Sequence, residues 1–221
     1  MSNQSLEVVG AWVAAVGTVI AALGVTPAIT DGAGFLNQGV FSDGEGTEEQ
    51  IERSKIRSEN LSFIGNTFQG IGNALEAAGE PVFNLEKAGE ELQTAGNTTI
   101  LYSIDSNFSE EKKTKLDITG NLLQAFGGVL AAIEELQEFQ DDLYLDVIGN
   151  SLQAVGNSLQ AVGGMFELED KKEIGKAIIF SGSWIQSGGA IISAVATMRE
   201  VNKSRQEEAN KDDEEKKKIS T

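Results

Sequence analysis

The side chains available for chemistry in this sequence are carboxylates and amides. Its 221 residues include no histidine and no cysteine, which removes the commonest general base, the commonest metal ligand, thiolate nucleophiles and disulfides. Glu134, Glu138, Asp142 and Asp146 stand at intervals of four and would make one acidic stripe if residues 129–148 formed a single helix. Like charges at that spacing repel mildly, so such a stripe would imply a divalent cation or a basic partner. A helix break near Asp141, or plain solvation, accounts for the same residues, and solvation is the reading adopted. No metal and no cofactor are expected. The sequence has no phosphate loop, nucleophile motif or convergent acid/base pair, so the chain is expected not to be an enzyme.

The amides have a clearer pattern because they travel with glycine. In "GNSLQAVGNSLQAVGG", from Gly149 to Gly164, glycine returns every seventh residue. Asn follows the glycine at Asn66, Asn73, Asn121, Asn150 and Asn157, and Gln stands four after it at Gln69, Gln93, Gln124, Gln153, Gln160 and Gln186. Charged residues would solvate a surface better and are nearly absent from these blocks. The amides Asn66, Gln69, Asn73, Asn121, Gln124, Asn150, Gln153, Asn157 and Gln160 are therefore expected to form interhelical hydrogen bonds that set register, as polar residues do in coiled coils. A solvated polar face is the alternative.

Positioning those amides requires helices. Seven residues make nearly two helical turns, so the glycines of one frame share a side, with Leu152 and Val155 beside them. Six frames occur: Gly10, Gly17 and Gly24; Gly65, Gly72 and Gly79; Gly89 and Gly96; Gly120 and Gly127; Gly149, Gly156 and Gly163; Gly175, Gly182 and Gly189. Each interior glycine costs about 1 kcal/mol relative to alanine. Close approach of two backbones, with its dispersion contacts, would offset that cost. Six frames predict six helices in an all-α, close-packed antiparallel bundle or layer. Ala154 and Ala161 lie about 140° from the glycines and give a second smooth edge, so a helix can have neighbours on both sides.

Residues 1–200 read as one helical unit with a Gly-rich loop or arm at 25–46. Residues 201–221 read as a charged tail, frayed or disordered. Thr47–Gln50 is a capping box, Pro81 suits the first turn of a helix, and Asp105, Ser106 and Ser109 are candidate caps. Residues 139–146 are either a turn or continuous helix, and 167–173 form a joint. Asn97 and Asn107 open glycosylation sequons, which are discounted because no signal peptide is recognised.

A net charge of −17 disfavours nucleic acid. Val8 to Thr30 carry no charge and have a mean hydropathy in the transmembrane range, and Ala177 to Met198 are borderline. Trp12 and Trp184 occupy matching positions, as candidate membrane anchors or as packing groups. Two functions compete. The first is a non-enzymatic structural protein that self-associates through its glycine positions into a homo-oligomer or filament. The alternative is a protein that inserts into a lipid bilayer, pore-forming or anchored, using segments 8–30 and 177–198.

The units "GNSLQAVGNSLQAVG", "GNLLQAFG" and "GSWIQSGG" resemble repetitive proteins of bacilli with tandem Gly-Asn-x-Leu-Gln-Ala-x-Gly heptads. The resemblance covers about half the chain and implies a Gram-positive origin; with no signal peptide recognised, the expected location is the cytoplasm or the membrane. It implies no catalytic residues.

Overall fold

The computed structural model describes residues 3–26, 48–137 and 144–219, with side chains as far as Lys211. Six helices are present among them: α1 (Asn3–Gly24), α2 (Glu48–Gly79), α3 (Leu85–Asp105), α4 (Glu110–Gln137), α5 (Tyr144–Leu168) and α6 (Lys172–Ile219). The fold is all-α. Each helix packs on the next in sequence, α6 packs on α1, and among the described residues no other pair of helices is in backbone contact. Six antiparallel rods therefore close into a ring.

Within the ring the helices form three hairpins in which glycine faces backbone. A Cβ added to Gly10 would lie 2.7 Å from the Gly72 carbonyl oxygen, and one on Gly17 would lie 2.6 Å from that of Gly65. In the second hairpin, Cβ atoms on Gly89 and Gly96 would lie 2.5 Å from the oxygens of Gly127 and Gly120. In the third, a Cβ on Gly156 would lie 2.6 Å from the Gly182 oxygen, and one on Gly163 would lie 2.7 Å from that of Gly175. Atoms in a packed interior do not approach so closely, so at these facing pairs any side chain would force the helices apart. Gly189 likewise faces Gly149, while Gly24 faces Ser58 and Leu61, and Gly79 faces Asn3 and Glu7.

Alanine serves the joints between hairpins. A Cβ on Gly128 of α4 would meet the Ala154 Cβ of α5 at 3.3 Å. Ala11 and Ala15 of α1 cluster with Ala190 and Ala194 of α6 where the ring closes. Ala154 and Ala161 are both buried.

The connections follow local chemistry. Asn84, with extended backbone, accepts from the Lys87 amide at 2.8 Å and caps α3. Pro81 therefore lies in the turn before that cap and not in a first helical turn. Ser109 immediately precedes α4, and Ser106 is the C-cap of α3. Asp170, in the left-handed region at φ 60°, turns the chain from α5 into α6. A Cβ on Gly128 would lie 3.1 Å from the Asn150 carbonyl oxygen, positions that one continuous helix would hold far apart, so α4 and α5 fold back on each other and residues 129–148 are not one helix. Residues 27–46 of the arm, Thr47 of the capping box, and Glu138, Asp141 and Asp142 lie outside the described residues.

Where the sequence predicts a frayed tail from 201, helix α6 continues to Ile219. Its extension has a partner: Val201 is buried, and Arg205 donates to Gln4 Oε1 at 3.4 Å and to Ser5 Oγ at 3.3 Å on α1.

Candidate functional site: a polar lumen

The ring is polar inside and apolar outside. The largest side chains that are fully buried are Asn97, Asn157, Ser103 and Ser187, and the buried apolar residues are mostly alanine. Phe63, Phe68, Ile71, Phe126, Val155 and Val162 are all exposed, Phe126 by 57% and Val155 by 50%. Val155 thus turns outward although it neighbours the glycine side, and Leu152 sits half-buried beside it. A water-soluble bundle has the opposite polarity.

Counting each glycine as the first residue of its heptad, the second and fifth residues face the axis. On the fifth position stand Gln69, Gln124, Gln160 and Gln186, which meet at mid-height. Gln186 donates to Gln69 Oε1 at 2.9 Å and to Gln124 Oε1 at 3.3 Å. Gln160 donates to Gln186 Oε1 at 2.8 Å, and Ser183 donates to Gln160 Oε1 at 3.0 Å. This layer spans the axis from α2, α4, α5 and α6. A cavity lies on each side of it, and all six helices contribute to both.

The asparagines do less across helices than their spacing predicts. Asn66 and Asn121 donate to Ser62 O and Asp117 O, one turn back on their own helices, each at 2.9 Å. Asn157 accepts from Gln160 of the same helix, and Asn73 lines a cavity. Asn150 reaches across by accepting from Ser193 of α6 at 3.4 Å, alongside Gln153, which donates to Ser193 at 3.1 Å. The longer glutamine side chain spans the gap; asparagine folds back onto its preceding turn.

Below the glutamine layer, towards the start of α1, a cavity of about 30 Å³ is lined by Glu76, Glu86, Glu90, Glu135 and Asp146. Above it, a cavity of about 300 Å³ carries Asp117 and Glu167. Among the described residues no lysine or arginine lines either one. Burial raises the pKa of Glu86 to about 9, with repulsion from Glu135 adding to it. Burial also raises that of Asp146 to about 7, with a smaller push from Glu200. Glu76 and Glu90 are raised for the same primary reason.

Sequence reasoning that follows the amides passes over these carboxylates, although they keep the same phase. Glu76, Glu86, Asp117, Asp146 and Glu167 all occupy the glutamine position, and Glu90 the asparagine position. Reading each frame one heptad beyond its amides would have found them. Of the proposed acidic stripe, Asp146 faces the lumen, whereas Glu134 accepts from the Leu85 amide of α3 at 3.2 Å. Trp12 and Trp184 are on the exterior, with Trp184 donating to Thr26 Oγ1 at 3.2 Å. Asn97 is fully buried, which closes that sequon.

The class defined by this geometry is a closed six-helix barrel with an amide- and carboxylate-lined interior. The model of a family of unknown function, DUF6944, matches residues 32–194, and the chain belongs to that family. No curated protein and no solved structure matches it.

Proposed function

We propose that the protein is a membrane-inserted helical barrel whose axis forms a polar path. The observation that carries this reading is the inverted polarity of the ring, with large apolar side chains outside and amides inside. Its uncharged segments are 8–24, 60–75, 92–104, 118–133, 147–166 and 177–198, spanning about 20 to 33 Å at the helical rise. That range brackets the hydrocarbon thickness of a bilayer. Helices α1, α4 and α6 are long and apolar enough to cross a membrane by length and composition. The other three carry their amides toward the lumen, away from lipid, while helical hydrogen bonds satisfy their backbone. Exposed Tyr144 lies at one end of the band and Tyr102 at the other, where aromatic belts place such rings, while Trp12 and Trp184 lie nearer mid-height.

Self-association through the glycines, the other function the sequence suggests, is not favoured, because those edges are occupied by neighbouring helices of the same chain. An assembly of copies would have to use the apolar exterior.

The test is flotation. Full-length protein is mixed with phosphatidylcholine and phosphatidylglycerol vesicles, washed with alkaline carbonate and spun through a density gradient. Recovery with the vesicles supports insertion. Recovery as a carbonate-soluble species, monomer or oligomer, overturns it.

A further inference from the structure

We infer that the acidic end of the lumen admits monovalent inorganic cations, which leave past the glutamine layer; this rests on the membrane reading above. Five carboxylates converge on the narrow cavity from α2, α3, α4 and α5, and among the described residues no cationic side chain lines it. Burial favours the neutral form of these carboxyls, and a ring of acids that ionise as a cation arrives admits counter-ions and repels co-ions. A second, independent feature is an unmet coordination demand. Glu90 is only 7% exposed, lines the cavity, and has Oε2 buried with no hydrogen-bond partner. One heptad further along α3, Asn97 Oδ1 is fully buried and equally unpartnered. Such oxygens ordinarily find a donor or an ion.

The geometry selects the valence. Among the described residues no three acidic side chains are close enough to hold one metal ion together, whereas tight divalent sites gather six or more oxygens. Dispersed oxygens along a passage suit weakly held monovalent ions, which must leave as readily as they enter. The cavity, at about 30 Å³, has room for about one water-sized particle. An ion there would keep part of its water and meet the carboxylates one or two at a time, its charge stabilising their ionised forms against burial. In the glutamine layer, Gln69 and Gln124 present further carbonyl oxygens to the axis, and both accept from a single amide, that of Gln186.

The full chain is reconstituted in liposomes, insertion is confirmed by flotation, and currents are recorded across planar bilayers under a KCl gradient. The reversal potential is expected to lie toward that of potassium. Glu90→Gln and Asp146→Asn should each lower the potassium-to-chloride permeability ratio several-fold, while Glu91→Gln, on the exterior of α3, should leave it unchanged. Gln186→Ala should raise conductance without altering the sign of selectivity. Inserted protein that passes no current, or a chloride-selective current, or a ratio indifferent to both lumen variants, overturns the inference and leaves the membrane reading standing. Failure to float overturns both.

Discussion

Gln186 Nε2 donates to Gln69 Oε1 at 2.9 Å although 117 residues separate them and the backbones of their helices do not touch. The same amide reaches Gln124 on α4, so one side chain links three helices across the axis. Replacing it by an apolar residue leaves two buried carbonyl oxygens without that donor. Gln186→Leu should therefore destabilise the fold by about 1–3 kcal/mol, read as a lowered Tm in detergent. Gln69→Leu, which leaves Gln186 bonded to Gln124, should cost less. Equal losses would argue against the shared amide.

Glycine positions divide by what surrounds them. A Cβ at Gly156 would lie 2.6 Å from both the Gln186 backbone nitrogen and the Gly182 oxygen, so Gly156→Val should cost about 3 kcal/mol or more, or prevent folding. At Gly188 an added Cβ meets nothing within 4 Å. Gly188→Ala should stabilise by about 0.5–1 kcal/mol through helix propensity and a restricted unfolded state. Thermal melts of the two variants should move in opposite directions.

Stability should decline with rising pH. Glu86, ordinarily 4.5, is held at about 9 and Asp146, ordinarily 3.8, at about 7. Between those limits the folded state retains protons that the unfolded chain has released, so unfolding gains as pH climbs. The stabilisation is whole below about pH 4 and is lost progressively up to about pH 9. Melts over that window should show Tm falling by several degrees, and Glu86→Gln should flatten the slope. A Tm that rises across the window would contradict this.

The exterior offers a sharp contrast between environments. Phe126 and Val155 are exposed, and in water a lysine at either site would change stability by no more than about 0.5 kcal/mol. In a bilayer the same charge costs about 2.5–3.5 kcal/mol at mid-depth. Phe126→Lys and Val155→Lys should therefore sharply lower the carbonate-resistant fraction in vesicles. Unchanged partitioning would place these faces outside the lipid.

Much of this architecture is legible in the sequence because backbone geometry reports itself through glycine. Six frames of seven mark six helices, and changes of frame mark their ends. Which way a helix faces is a different matter. Periodicity fixes an angle between Asn157 and Val155 but carries no sign, so the same heptad serves a rod with amides in water or amides on an axis. Closure into a ring is equally silent, because Ala11 and Ala190 read as ordinary small residues until α1 and α6 meet. Four of the lumen carboxylates are hidden for a simpler reason: Glu86, Asp117, Glu135 and Asp146 stand in heptads that lack the marker glycine.

The alanine seam between α1 and α6 has a consequence for how the molecule is made. Every other helix contact joins consecutive segments, so only this one demands that distant parts of the chain find each other. Hairpins can zip in order as they emerge from the ribosome, with the slow search for a remote partner deferred to a single final step. Before that step the chain is an open sheet of rods with two bare flanks, able to curl shut or to admit a neighbour's hairpin in exchange for its own.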